Sequence, residues 1–515
     1  MKYRVKDYPD IQKKVDEMDF ADLIRAVICP DIRVGQQPPR NTGTVFLHPA
    51  TVDQANAFSA QINSERENKA LIVADMEYGA GGAIIGAVSF PSMRAVKEAG
   101  NSQLAYEMGV IAAKEAISAG YHWTFGPCVD ILGNRMNPIV QLRTAGETAD
   151  EVIEYCGAYM RGLQDSGLIA TLKHFPGDGY CADDQHVTTP VNALSREDWD
   201  ASFGKVYREL IEDGAMSIMP GHIALPVYDE IDENGLYPPA TVSKNLLTGL
   251  LREKLGFEGI IISDATEMGG FCGYMNLYHA CAAFLEAGGD SLLFVHESEE
   301  LLQEMKKCVD EGRLTMETLR NRAYRMLCFA REYFEAHPAR QVQEFDRASA
   351  ELLAKKVSCK AVKIVRDRKN LLPMDLVGKR IAHVVLHNAW CTDFSQVEAL
   401  TGRLRAKAAS VEEVRDPGSQ KLLAMAKSGE YDLIVCSVLE GPSWGLNSTK
   451  LNGPAARNMM NGWMRYGTLV VFVAWQSVSF EDVYRPTTDT VINTYGYTEY
   501  TPAAVVNTIC GEQEA

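Results

Sequence analysis

The stretch "LIATLKHFP", residues 168–176, is a short apolar run that ends in a lysine and a histidine. Similar β-rich runs occur at 44–50, 70–77, 121–131, 215–223, 259–268 and 291–296. The segments between them have apolar residues at helical spacing and a glycine at the stop, which predicts helices. Strand–helix alternation repeated about seven or eight times predicts a (β/α)8-type barrel rather than a doubly wound sheet.

Charged and histidine side chains gather where these predicted strands end. They are Asp75, Glu77, Asp130, Lys173, His174, His222 and Asp264. In a barrel, the loops that follow the strands all open on one face, and that face carries the active site. The spacing therefore predicts a catalytic rim.

The pattern changes within 331–350, a polar segment with a proline that predicts a helix end and a linker. Further apolar runs follow, alternating with helices, at 379–387, 431–440, 468–476 and 489–496. They predict a second, smaller α/β domain with a mainly parallel sheet. We place the barrel at 1–340 and the second domain at 341–515.

Composition argues against several classes of function. The 51 Lys and Arg against 68 Asp and Glu give a formal net charge of −17, so the surface repels phosphate backbones and no nucleic-acid partner is expected. No uncharged apolar run is long enough to span a bilayer, and the first twenty residues lack the apolar core of a signal peptide. Twelve cysteines scattered singly suit reduced thiols. We expect a cytoplasmic protein with no membrane span.

Asp264 follows the apolar run of "GIIISDATEM", residues 259–268, by one residue. A carboxylate at the end of a buried strand is held rigidly and is partly desolvated, so it can act as a nucleophile or a general base. An N-cap for the next helix is an equally consistent interpretation.

Asp184 and His186 form a D-x-H pair in the polar loop that follows residue 176. In an extended segment, residues i and i+2 point to the same side, so the carboxylate contacts the ring. This contact fixes the tautomer and stabilises the imidazolium, which predicts a proton donor and acceptor. An ordinary surface loop is the alternative.

Metal binding by His174, Asp184 and His186 is a further option. The chain has no HExxH, and it has one histidine at "FLHPATV", residues 46–52, where metal-dependent barrel hydrolases carry H-x-H. We therefore expect no metal and no cofactor. Lys173, His174 and Arg143 are donors suited to sugar hydroxyls or an anionic group, or to ordinary salt bridges.

Several motifs, taken in chain order, together resemble glycoside hydrolase family 3 and its β-N-acetylglucosaminidase branch. They are "VADMEYG" (73–79), "FGPCVDILGNRMNPIVQLRTAGE" (125–147), "LKHFPGDG" (172–179), "DDQH" (183–186), "MPGHIALPVYD" (219–229) and "GIIISDATEM" (259–268). The resemblance implies a TIM-type barrel followed by an αβα sandwich. It also implies a small carbohydrate substrate and no cofactor.

The resemblance also implies roles for individual residues. Asp264 matches the catalytic nucleophile, and Asp184 with His186 matches the branch's acid/base dyad, in which the histidine moves the proton. The sugar contacts implied in the innermost subsite are Asp75, Arg143, Lys173 and His174. The implied activity is that of a retaining exo-acting β-N-acetylhexosaminidase that removes terminal β-N-acetylglucosamine.

Two departures keep alternatives open. Asp178 stands in Gly-Asp-Gly where the branch has Gly-His-Gly, and "DMEYGAGG", 75–82, replaces the branch's Asp-Gln-Glu-Gly-Gly-Arg. Gly-Asp-Gly also resembles exo-glucanases of the family, whose acid/base is a glutamate of the second domain, and Glu440 is such a candidate. A β-glucosidase or exo-glucanase, a β-N-acetylglucosaminide phosphorylase and a sugar-binding protein without turnover therefore remain alternatives. The oligomeric state is left open.

Overall fold

The computed structural model describes residues 2–64, 66, 68–338, 345–441 and 444–512. The chain forms two compact units, one of residues 1–89, 105–134 and 146–350, the other of residues 90–104, 135–145 and 351–515. The predicted domain boundary at 340/341 lies outside the described residues and stays a prediction. Within the described ranges, no helix is long and apolar enough to cross a membrane.

The first unit is built from short strands alternating with helices. Its strands are β1 (Ile28–Cys29), β2 (Asp31–Ile32), β3 (Thr44–Leu47), β4 (Ala50–Thr51), β5 (Leu71–Ala74), β6 (Ile84–Ile85), β7 (Trp123–Thr124), β8 (Ile169–Phe175), β9 (Ser217–Pro220), β10 (Ile260–Ile261) and β11 (Leu292–Leu293). The helices from the start of the chain are α1 (Pro9–Glu17), α2 (Phe20–Val27), α3 (Val52–Ser64), α4 (Met93–Glu98), α5 (Ser102–Ala119), α6 (Ala149–Asp165), α7 (Arg196–Ala201), α8 (Phe203–Glu212), α9 (Gly269–Cys272), α10 (Leu277–Ala287), α11 (Glu299–Asp310), α12 (Met316–Ala336) and α13 (Arg347–Ala361), with a π-type helix at Asn245–Lys254. Of these, α4 and the first residues of α5 belong to the second unit, and the division between the units falls within α13.

The main sheet of the first unit is parallel and curled. Its strands are neighbours in chain order, β2, β3, β5, β7, β8, β9 and β10. A parallel bridge joins Ile262, just after β10, to Ser291, just before β11, and β11 pairs with β1. The order confirms the predicted barrel. Sequence analysis missed β1 and β2, because Pro30 divides the run into two-residue strands and has no N–H for a ladder.

The second unit is an αβα sandwich, as predicted. Its strands are β12 (Lys363–Asp367), β13 (Arg380–His387), β14 (Ser410–Arg415), β15 (Leu433–Leu439), β16 (Leu469–Trp475) and β17 (Thr490–Asn493), and its remaining helices are α14 (Ser395–Arg405), α15 (Ser419–Ser428), α16 (Gly453–Arg457), α17 (Phe480–Val483) and α18 (Thr501–Cys510). The sheet order is β12-β17-β16-β15-β13-β14, with β12 antiparallel. Val397 of α14 and Val505 of α18 contribute to one core, whereas Leu422 of α15 and Phe480 of α17 contribute to another.

Candidate active site

Lys173, near the end of β8, lies between two carboxylates. Its Nζ is 3.0 Å from Asp75 Oδ1 and 2.8 Å from Glu77 Oε1, both on the loop after β5. The Lys173 side chain is 5% exposed whereas that of Asp75 is 53% exposed, so the carboxylate of Asp75 is open to a ligand. The structure thus brings together two predicted sugar contacts, and it adds Glu77 as their third partner.

The next residue, His174, is paired with a buried aspartate. Its Nδ1 is 2.7 Å from Asp130 Oδ2, and Asp130 Oδ1 accepts hydrogen bonds from the backbone N–H groups of His174 and Asp178. The thiol of Cys128 donates to Asp130 Oδ2 at 3.1 Å. Burial alone would raise the pKa of the Asp130 carboxyl, but His174 and these hydrogen bonds hold it below its ordinary value. Asp130 is therefore a carboxylate that fixes the His174 ring.

Asp264 lies in the turn after β10, and its side chain is 14% exposed. Its Oδ1 accepts from the N–H of Ala265 at 2.8 Å, and its Oδ2 is 3.8 Å from Nε2 of His174. Burial would raise the pKa of Asp264, but the nearby charges of His174, His222 and Lys173 lower it overall. The group is thus an ionised, largely desolvated carboxylate. The N-cap alternative is wrong, because the next helix begins at Gly269 with Met268 as its cap residue.

Asp184 and His186 make the contact that their spacing predicts. His186 Nδ1 is 2.7 Å from Asp184 Oδ1, and the His186 N–H donates to the same oxygen at 2.9 Å. The expected extended conformation is wrong. The N–H groups of Val187 and Thr188 both donate to the Asp184 carbonyl, which makes the segment a turn. Asp184 is fully buried, whereas the His186 side chain is 27% exposed. The ring is therefore fixed by a buried carboxylate and is still accessible from solvent.

The loop that carries this dyad is bound to the segment after Asp264. The N–H of Gly269 donates to the His186 carbonyl at 2.8 Å. A Cβ on Gly269 would lie 2.6 Å from the Val187 carbonyl oxygen, so only glycine permits this approach. A backbone hydrogen bond therefore joins the loop that carries His186, the expected proton donor, to the segment that follows Asp264, the expected nucleophile.

Arg143 and Glu440 belong to the second unit. Arg143 is half-buried on the segment 135–145, and it stays a predicted sugar contact. Glu440 is fully buried at the end of β15, where its Oε2 accepts hydrogen bonds from the hydroxyls of Ser477 and Ser479. Burial raises the pKa of Glu440 to about 7.

One set of potential metal ligands lies close together in the part of the chain that the structure describes. The donor atoms of Cys128, Asp130 and His174 lie within 4.8 Å of one another. The set considered from the sequence, His174 with Asp184 and His186, is not brought together in this way among those residues. Cys128 and His174 are both hydrogen-bonded to Asp130, so the three side chains have a structural explanation without an ion.

A parallel barrel with an ionised aspartate and two histidine–aspartate pairs on its rim defines a barrel protein equipped for acid–base chemistry. Residues 40–329 match the model of the glycosyl hydrolase family 3 N terminal domain, which is more than half of the chain. The chain belongs to glycosyl hydrolase family 3.

Curated relatives carry glycosidase names. A β-N-acetylglucosaminidase/β-glucosidase of Cellulomonas fimi is 35% identical over 291 residues, which is 56% of this chain and 52% of that protein. A β-hexosaminidase of Methylobacillus flagellatus is 33% identical over 207 residues, 40% of this chain and 57% of the relative. The chain spans about half the length of these relatives.

Solved structures superpose on nearly the whole chain. A β-glucoside phosphorylase, BglX, bound to 2FGlc superposes with a TM-score of 0.89 at 25% identity, over 99% of this chain and 96% of that one. A family 3 β-N-acetylglucosaminidase from Paenibacillus sp. FPU-7 superposes with a TM-score of 0.80 at 22% identity, over 96% and 97% of the two chains. The second similarity concerns the fold alone.

Proposed function

We propose that the protein is a retaining exo-acting β-N-acetylhexosaminidase that removes terminal non-reducing β-N-acetylglucosamine. The observation that carries this proposal is the His186 ring, partly exposed and fixed 2.7 Å from the buried Asp184. Curated relatives named β-hexosaminidase support the choice of substrate. In this assignment the barrel, residues 1–340, is the catalytic domain and residues 341–515 form the accessory sandwich. The free thiols of all twelve cysteines support a reducing, cytoplasmic location.

In the first step, a carboxylate oxygen of Asp264 attacks the anomeric carbon. The bond to the leaving oxygen breaks, and this oxygen takes the proton from Nε2 of His186, because Nδ1–H is held by Asp184. The products are a glycosyl ester of Asp264 and the free aglycone. The positive charge that lowers the pKa of Asp264 keeps it ionised for this attack.

In the second step, His186 is the general base. Its neutral Nε2 takes a proton from water, the hydroxide oxygen attacks the anomeric carbon, and the ester bond to Asp264 breaks. Two inversions at the same carbon give net retention. Asp184 stabilises the imidazolium that the second step regenerates.

Four residues hold the sugar in this proposal. Asp75 accepts from ring hydroxyls, while Lys173, His174 and Arg143 donate to them. Lys173 is held between Asp75 and Glu77, so its ammonium group is a donor of fixed direction. His174 is turned by Asp130 so that Nε2 faces Asp264.

Glu440 is the weaker candidate for the proton donor. A general acid has to reach the leaving oxygen, whereas the Glu440 carboxyl is fully buried. Its Oε2 is occupied by the hydroxyls of Ser477 and Ser479. This supports the dyad over the β-glucosidase or exo-glucanase alternative.

Phosphorolysis is the second candidate. A histidine base is neutral at the start of the second step, so it repels a phosphate dianion less than a carboxylate does. The superposition on a β-glucoside phosphorylase over nearly the whole of both chains supports this alternative. In it, phosphate replaces water and the product is a sugar 1-phosphate.

A screen of 4-nitrophenyl β-glycosides tests both candidates. The N-acetylglucosaminide, the glucoside and the xyloside are compared, each with and without inorganic phosphate, and the products are separated. We expect the N-acetylglucosaminide to be the best substrate and N-acetylglucosamine the product. A sugar 1-phosphate that forms only with phosphate establishes the phosphorylase, and preference for the glucoside overturns the substrate assignment.

A further inference from the structure

His222 occupies the loop after β9, between the loops that carry His186 and Asp264. Its ring is fully buried, with Nε2 3.0 Å from the carbonyl oxygen of Ala265 and Nδ1 3.0 Å from the hydroxyl of Thr241. A carbonyl oxygen only accepts, so Nε2 carries the hydrogen and Nδ1 accepts from Thr241. Burial lowers the pKa of His222 to about 4, which leaves the ring neutral at neutral pH. The ring thus holds the residue next to Asp264 in place, and it carries a positive charge toward Asp264 only in acid, below about pH 4.

The backbone of His222 reaches the other side of the site. Its N–H donates to Oε1 of Gln185 at 2.8 Å, and Gln185 stands between Asp184 and His186. The Gln185 carbonyl oxygen in turn accepts from the N–H of Gly270 at 3.1 Å. One residue therefore touches both the turn of the nucleophile and the loop of the proton donor.

Glycines set how closely these loops approach. A Cβ on Gly270 would lie 2.7 Å from Cβ of His222, and a Cβ on Gly221 would lie 2.7 Å from Oε1 of Gln185. Such distances are shorter than side chains tolerate, so the loops are in contact at their closest possible separation.

Gln185 is buried although its side-chain amide is only partly hydrogen-bonded. It is fully buried, and its Nε2 has no hydrogen-bond partner among the described residues. A buried amide without a hydrogen-bond partner lowers the stability of the folded protein. The contacts of its two oxygen atoms, with His222 and with Gly270, account for its placement.

We infer that His222 and Gln185 are positioning residues that join the nucleophile turn and the proton-donor loop into one rigid unit. The inference rests on the proposed function for the roles of Asp264 and His186. Neither residue touches the reacting atoms. Their effect is to fix the separation of Asp264 and His186, because both groups have to act on the same glycosidic bond.

His383 provides a matched control. It is also fully buried, its two ring nitrogens lie 2.7 Å from Thr401 Oγ1 and 2.8 Å from Ser437 Oγ, and burial lowers its pKa to about 4 as well. It lies in the core of the second unit. His383→Leu therefore removes the same kind of buried, doubly bonded imidazole as His222→Leu.

The test measures kcat and KM of the full chain on 4-nitrophenyl β-N-acetylglucosaminide and on N,N′-diacetylchitobiose. We expect His222→Leu to lower kcat by about 10²-fold on both, with KM nearly unchanged, since a misplacement of about 1 Å costs this much. His222→Gln keeps a donor toward Ala265 and recovers part of the loss. Thr241→Val, which is isosteric, lowers kcat by up to about tenfold and serves where the leucine variant does not fold.

Gln185→Leu is expected to lose more activity on chitobiose than on the activated glycoside, because a displaced His186 protonates poor leaving groups badly. The inference is overturned if His222→Leu and His383→Leu have the same kcat, or if Gln185→Leu affects both substrates equally. Asp264→Asn serves as the reference. If it stays active, the proposed function has failed. If it is inactive while His222→Leu and Thr241→Val are unimpaired, the positioning role alone has failed.

Discussion

The rim carries two aspartate–histidine pairs with the same contact and different surroundings. In both, Nδ1 of the ring lies 2.7 Å from a fully buried carboxylate. The His174 side chain is 4% exposed and its Nε2 is directed at Asp264, whereas the His186 side chain is 27% exposed. Asp130 accepts three further hydrogen bonds, from Cys128 and from the N–H groups of His174 and Asp178.

The difference teaches that an Asp–His contact does not define a role by itself. A ring enclosed by protein cannot exchange a proton with substrate and water in each turnover, but it can orient and stabilise a charge. A partly exposed ring on a loop can exchange its proton. We therefore propose orientation as the role of Asp130–His174 and proton transfer as the role of Asp184–His186.

Removing the exposed ring is expected to have the largest effect. His186→Ala should lower kcat/KM on chitobiose by about 10³–10⁴-fold, because the leaving oxygen is no longer protonated. The loss on 4-nitrophenyl β-N-acetylglucosaminide should be much smaller, since 4-nitrophenolate leaves without a proton. Steady-state kinetics on both substrates measure this, and equal losses would contradict a proton-transfer role.

Removing the buried carboxylate should have a smaller effect of a different kind. Asp130→Asn is expected to lower kcat/KM by about 10²-fold on both substrates alike, because His174 is no longer held in place. The circular dichroism spectrum serves as a folding control. If Asp130→Asn instead loses more activity on chitobiose than on the activated glycoside, both pairs act on the leaving group and the distinction between them is wrong.

The pH profile separates the pairs further. Although burial alone raises it, the pKa of Asp264 is lowered by His174, His222 and Lys173, so the acid limb of kcat/KM should lie below the ordinary pKa of an aspartate carboxyl. Asp130→Asn should move this limb to higher pH, because the His174 ring that lowers the pKa of Asp264 is no longer held 3.8 Å from its Oδ2. Asp184→Asn should leave this limb in place, because Asp184 holds His186 and not His174. A shift of the same limb in both variants would contradict the assignment.

Glu440→Gln is expected to have the smallest effect on catalysis, with the dependence on leaving group unchanged. Its effect should be on stability. Burial raises the pKa of Glu440 to about 7, so between about pH 4.3 and 7 the unfolded chain releases a proton that the folded protein keeps. Stability contributed by the neutral carboxyl is therefore lost as the pH rises through this window. The Tm of Glu440→Gln should vary less between pH 5 and 8 than that of the unsubstituted protein. If Glu440→Gln instead loses activity only on substrates with poor leaving groups, Glu440 and not His186 is the proton donor.

Much of the architecture could be predicted from sequence, because buried parallel strands are short apolar runs with polar residues at their ends. The strand predicted at 168–176 is β8, and that predicted at 259–268 contains β10. The edge strands β12 and β14 were missed. Their partly exposed strands contain charged residues, as in "SVEEVR" (410–415), and so do not produce an apolar run.

Local contacts of the site could be predicted, and distant ones could not. Asp184 and His186 are two residues apart, so their contact follows from spacing. Asp130 and His174 are 44 residues apart, and their contact depends on the pairing of neighbouring strands in the barrel. The grouping of Arg143 with the second unit likewise depends on packing that no local pattern records.

The most direct test of the central claim is to identify the residue that carries the sugar. In His186→Ala, 4-nitrophenyl β-N-acetylglucosaminide still drives the first step, while the second step lacks its base, so the glycosyl-enzyme accumulates. After acid quenching and proteolysis, mass spectrometry should find one N-acetylhexosaminyl group on the peptide that contains Asp264, and none in Asp264→Asn/His186→Ala. A label on another residue, or an inverted product formed without any label, would contradict the account.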